Sequence, residues 1–171
     1  MTRLLLFTLL GACSNAAAPG VDALHLPDDA TDAPVAVDAS PGAARILVLN
    51  EVAAGDTPDW FEVVNATLAP VALDQFVFVD AAGDLTKAVA FPAVILGPGA
   101  YYTQDVDGTI VPFKLASDEE LWIYRAADHA LSDGVDWADG ASPAGGSYGR
   151  IPDIFGPFTT LATSTRGTTN Q

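Results

Sequence analysis

The side chains best suited to chemistry fall in one short stretch: Asn50, Glu51, Asp59, Glu62 and Asn65. Carried on adjacent strands, their oxygens would suit a hard cation such as calcium, with Glu51, Asp59 and Glu62 as the ligand candidates. The same residues have a plainer reading, in which the asparagine amides bond turn backbone and Glu62 or Glu51 pairs with Arg150. The sequence leaves both readings open.

Other chemistries find less material. Nucleophilic catalysis needs a base beside a nucleophile, and His129 sits in the polar turn Asp128-His129-Ala130 with no nucleophile motif near it. Asp105-Val106-Asp107-Gly108 lacks the third aspartate and distal glutamate of a calcium loop, and Asp118-Glu119-Glu120 reads as a solvated run. Gly97-Pro98-Gly99 and Ala144-Gly145-Gly146 match no phosphate-binding pattern and read as turns. The expectation is a non-catalytic protein without a cofactor, calcium apart. Tyr101, Tyr102, Tyr148 and Phe155 lie beside turns and offer a recognition surface. With Tyr148, the binding candidates are Asn50, Glu51, Asp59, Glu62 and Arg150.

The chain has 171 residues, half of them hydrophobic, enough for one core with extensions. Seven Lys and Arg against 22 Asp and Glu give a net charge of -15, which argues against nucleic acid as a ligand. The single cysteine excludes an internal disulfide and thiolate zinc clusters.

That cysteine has a telling position. Arg3 precedes the apolar run Leu4–Leu10, too short for a permanent span, and residues 1–12 read as a secretory signal. Leu10-Gly11-Ala12-Cys13 resembles the bacterial lipobox, which implies acylation of Cys13 and attachment to a membrane leaflet. Ser14, where an aspartate would favour inner-membrane retention, points to the outer membrane or cell surface. Residues 13–44 are rich in Ala, Pro and Asp, with prolines at 19, 27, 34 and 41, and read as a tether extending about 3.1 Å per residue.

From Arg45 to Gln171 the pattern is all-β. Ile46–Val52 and Trp60–Asn65 alternate, the first interrupted by Asn50 and Glu51. Short segments follow at Val71–Leu73, Gln75–Val79, Lys87–Phe91, Tyr101–Thr103, Val111–Lys114, Leu121–Tyr124 and Val135–Trp137, which implies a sandwich. Leu49-Asn50-Glu51-Val52, Asp59-Trp60-Phe61-Glu62-Val63-Val64-Asn65, Leu96-Gly97-Pro98-Gly99-Ala100-Tyr101, Ser147-Tyr148-Gly149-Arg150-Ile151-Pro152-Asp153 and Thr165-Arg166-Gly167-Thr168-Thr169-Asn170 together resemble the lamin-tail domain family. Gln75-Phe76 and Arg166 depart from the family pattern of Gly-Trp and proline. The resemblance implies an immunoglobulin-like β-sandwich serving as a protein-binding or structural module, with an envelope or extracellular protein as partner. A calcium-assisted carbohydrate-binding or adhesion module is the alternative.

Overall fold

The computed structural model describes residues 45–171, so Cys13, the signal and the tether lie outside the described residues. The described chain is all-β apart from two single turns of 3₁₀ helix. The strands are β1 (Leu47–Ala53), β2 (Asp59–Asn65), β3 (Val71–Ala72), β4 (Phe76–Val79), β5 (Val89–Ala90), β6 (Ile95–Leu96), β7 (Tyr101–Val106), β8 (Glu119–Arg125), β9 (Leu131–Trp137), β10 (Ser147–Arg150) and β11 (Phe158–Leu161). They form a five-stranded sheet ordered β11-β10-β1-β2-β7, a four-stranded sheet ordered β5-β4-β8-β9 and a small β3-β6 pair. All pairings are antiparallel, which is consistent with a β-sandwich.

Alternation along the strands builds one core from both larger sheets. Leu47, Leu49, Phe61 and Val63 of the first sheet meet Phe76, Phe78, Leu121 and Ile123 of the second. Phe61, Phe78 and Phe91 pack with centroids 4.8 to 6.0 Å apart at steep angles. Such pairs contribute about 0.5–1.5 kcal/mol beyond area burial.

β1 runs straight through the two residues read as an interruption. A register shift between Leu49 and Glu51 admits an extra residue opposite β2, so Asn50 and Glu51 share the space facing Glu62. Val111–Lys114 forms no strand; it follows a turn in which Asp107 accepts from the backbone of Thr109 and Ile110. β10, β11 and β6 are too short to have carried an alternating signal.

The first half of β1 has no strand neighbour on its β10 side, and β9 side chains take that place. Ser132 Oγ bonds both the N–H and the carbonyl of Leu47, and Asp133 accepts from the N–H of Leu49. Further along, Ser142 Oγ donates to the Val52 carbonyl and accepts from the Ala54 N–H. The start of β1 is thereby stitched to the second sheet through Ser132 and Asp133, and its end to the loop between β9 and β10 through Ser142.

Candidate functional site

Two buried polar clusters flank β1, one on each face of its sheet. On the outer face Glu51 and Glu62 stand directly opposite one another, both with no exposed surface. The C-terminal segment after β11 buries them. Glu51 accepts from Ser147 Oγ at 2.5 Å, from the Thr165 N–H at 2.8 Å and from its hydroxyl at 2.9 Å. Glu62 accepts from the Gly167 N–H at 2.6 Å and from Asn50 Nδ2 at 3.3 Å.

The same segment closes at its far end. Asn170 Nδ2 donates to the carbonyls of Asn50 and Arg150, and its backbone N–H donates to Asp153. The other Asp153 oxygen accepts from the Tyr101 hydroxyl. A Cβ at Gly149 would lie 2.7 Å from Asn170 Nδ2, so only glycine lets the segment approach. Between these points Arg166 lies 5.2 Å over the Trp60 ring and pairs with Asp105.

Neutral donors meet each carboxylate in this cluster. Desolvation dominates as a result: burial pushes the Glu62 carboxyl up to about 7, and the nearby charges of Glu51 and Asp153 push the same way. The Gly167 N–H and the Asn50 amide oppose the shift.

The second cluster lies on the core side. Arg150 Nη2 is 3.1 Å from both Asp133 oxygens, while Nε donates to the Leu49 carbonyl and Nη1 to the Gly156 carbonyl. Its guanidinium also stands 4.4 Å over the Phe158 ring. Burial raises the Asp133 carboxyl and lowers the Arg150 guanidinium, and their mutual attraction pulls both back toward the charged form.

Arg150 therefore pairs with Asp133 rather than with Glu51 or Glu62. Alternation explains it: Ser147 points outward to Glu51, so Arg150, three residues on, points inward. Asp59 also stands apart from the glutamates. It shares the face of Phe61 and Val63, accepts from the Leu115 N–H, and lines a cleft of about 360 Å³ with Asp56, Asp107 and Lys114. Desolvation raises its carboxyl, opposed by that N–H.

Tyr148 is half-buried and stacked on Phe158 with centroids 5.3 Å apart. Of the remaining aromatics singled out, Tyr101 and Tyr102 are half-buried and Phe155 is exposed. His129 is exposed in the turn between β8 and β9. Asp133, Ser147, Asp153, Thr165 and Asn170 complete the clusters without having been singled out for a role. Ser147, Asp153, Thr165 and Asn170 stand within the lamin-tail-like motifs, and for Asp133 the signal would have been the polar pair Ser132-Asp133 at the start of β9.

Chemically, the outer cluster is a lock. Its carboxylate oxygens face N–H and O–H dipoles whose positive ends would also meet an incoming cation. Among the described residues, no group of three or more His, Cys, Asp or Glu is arranged to hold a metal. Comparison with protein-family models, with curated proteins and with solved structures finds no match to this chain.

Proposed function

We propose that this protein is a lipid-anchored, non-catalytic component of a bacterial envelope surface. In this reading residues 1–12 direct export, Cys13 carries the lipid and residues 13–44 form the tether. Residues 45–171 are a lamin-tail-like, immunoglobulin-like β-sandwich that serves as a protein-binding or structural module. Among the described residues no helix is long and apolar enough to cross a membrane; in this reading the lipid on Cys13 supplies the attachment.

The observation that carries the reading is the employment of the polar residues. Asn50, Glu51, Glu62 and Arg150, the groups best suited to chemistry, are buried and spend their hydrogen bonds on holding the C-terminal segment and the second sheet. The calcium-assisted carbohydrate alternative is less well supported, since Asp59 faces away from Glu51 and Glu62 and neutral donors occupy their oxygens.

Two measurements test the reading. Mass spectrometry of the amino-terminal peptide from a membrane fraction is expected to find diacylglycerol on Cys13, and Cys13→Ser is expected to free the chain from the membrane. Affinity capture with the full chain, run in calcium and in chelator, is expected to recover the same protein in both. Capture of glycan in calcium alone would transfer support to the alternative.

A further inference from the structure

The register of the strands assigns an end of the fold to each exposed apolar side chain. Leu47 pairs with Asn65, and Tyr101 lies beside Val64, so Arg45, the turn after β2 and the start of β7 share one end, called proximal here. The loop after β10 belongs to it, because Arg45 Nη1 donates to the Ile154 carbonyl and Asn50 accepts from the Ile154 N–H. β6 belongs there too, through Asn65 Nδ2 donating to the Leu96 carbonyl.

Among the described residues six large apolar side chains are exposed, and five of them lie at this end: Leu68 (99 %), Ile95 (69 %), Val94, Ile151 and Phe155 (82 %). The sixth, Ile110 (88 %), follows β7 and lies at the opposite, distal end. Isolated exposed apolar residues need no explanation; their concentration at one end does.

Charge divides the same way. The proximal end carries Arg45, Asp74, the Arg125–Asp128 ion pair and Asp153, a nearly balanced set, with Arg150 and Asp133 paired beneath. Asp56, Asp80, Asp107, Asp118, Glu119 and Asp139 crowd the distal end and outnumber Lys87 and Lys114 there.

The proximal apolar loop is also rigidly held. Ile154 has φ 68°, a region that a β-branched residue occupies only when its surroundings impose it. Its N–H and carbonyl are both bonded, the Ile151 N–H donates to the Pro157 carbonyl, and Asp153 is tied to Tyr101 and Asn170. Phe155 is thus presented with little ordering left to lose on contact.

We propose that the proximal end docks on a lipid bilayer, with Phe155, Ile151, Leu68 and Ile95 entering the headgroup boundary and the acidic distal end directed away. The proposal rests on the reading of Cys13 as the lipid site, because the chain coming from that anchor enters the fold at Arg45, beside the apolar loop. Apolar side chains at the interface add binding per buried area, while acidic groups on that side would be repelled by anionic headgroups. The tether is long enough to let the domain stand off; the apolar end gives it a reason to settle.

The test uses residues 13–171, which contain the whole described fold, with Cys13, the sole cysteine, coupled chemically to a maleimide phospholipid. Docking is then examined whether or not the cell acylates Cys13, so failure of the anchor reading and failure of docking are separate results. All three native tryptophans are buried, so Phe155→Trp and Ile110→Trp each supply one exposed probe. On phosphatidylcholine–phosphatidylethanolamine vesicles, Phe155→Trp emission is expected to shift to the blue and its quenching by acrylamide to fall about threefold. Ile110→Trp is expected to stay as accessible as in solution. Equal quenching of both probes on vesicles would overturn the proposal. So would shielding of position 155 that appears without vesicles and grows with protein concentration, which would mean self-association.

Discussion

The two polar clusters beside β1 solve the same problem in opposite ways. On the core side Arg150 meets Asp133, and charge balances charge. On the outer face Glu51 and Glu62 stand side by side and are met by backbone N–H, amide and hydroxyl donors. The first arrangement holds two sheets together at any ordinary pH. The second ties down a segment at the far end of the sequence, and because like charges are buried together it answers to protons.

The largest break in this comparison comes from the balanced side. Asp133→Ala leaves a buried guanidinium unpaired and is expected to cost about 3–5 kcal/mol in urea unfolding. Replacing both partners, as Asp133→Leu with Arg150→Met, is expected to cost less than that single change; an equal or larger loss would show that the pair does more than cancel charge. On the outer face Glu51→Ala strands the Ser147 hydroxyl and the Thr165 N–H, while the Thr165 hydroxyl keeps Asn170 Oδ1 as acceptor, for about 2–3 kcal/mol by the same measurement.

Proton dependence separates the clusters more sharply. Glu62 holds its proton up to about pH 7 in the folded protein but only to about its ordinary 4.5 when unfolded. Its contribution is therefore complete below about pH 4.5 and lost as pH rises through about 7, with a slope of up to about 1.4 kcal/mol per pH unit. Glu62→Gln is expected to flatten urea-unfolding stability across that window; an unchanged slope would place the titration elsewhere. The smallest effect belongs to Arg166→Ala, about 0.5 kcal/mol, because its contacts to Asp105 and Trp60 are made at a half-exposed surface.

Local pattern made most of the fold legible. Alternation located β1 and β2 and the spacing of short apolar segments located β4 and β8; the polar residues within the first two strands marked Asn50, Glu51 and Glu62, and the lamin-tail-like loop marked Arg150. The partnerships were not legible. Arg150 and Asp133 lie 17 residues apart on strands of different sheets, and only the inward turn of Arg150 on a four-residue strand brings them together. Asn50-Glu51 read as a break because a bulge adds one residue without changing composition. The strap over the sheet, residues 165–170, stood out as a motif, but its contacts did not, because Thr165 and Gly167 bond through backbone N–H groups, which every residue but proline has. Arg166, standing where the lamin-tail pattern has proline, turns out to cover Trp60.

The strap has a consequence for the order in which the molecule is made. Glu51 and Glu62 leave the ribosome early, yet the Thr165 and Gly167 amides that receive them follow 114 and 105 positions later. Until then both carboxylates and the Trp60 ring remain open to water, and the outer face of the sheet has no cover. A chain stalled or clipped after Leu161 would keep its hydrophobic core but show an uncovered acidic, aromatic surface to proteases and chaperones. The segment after β11 thus reports that the strands made well before it have paired.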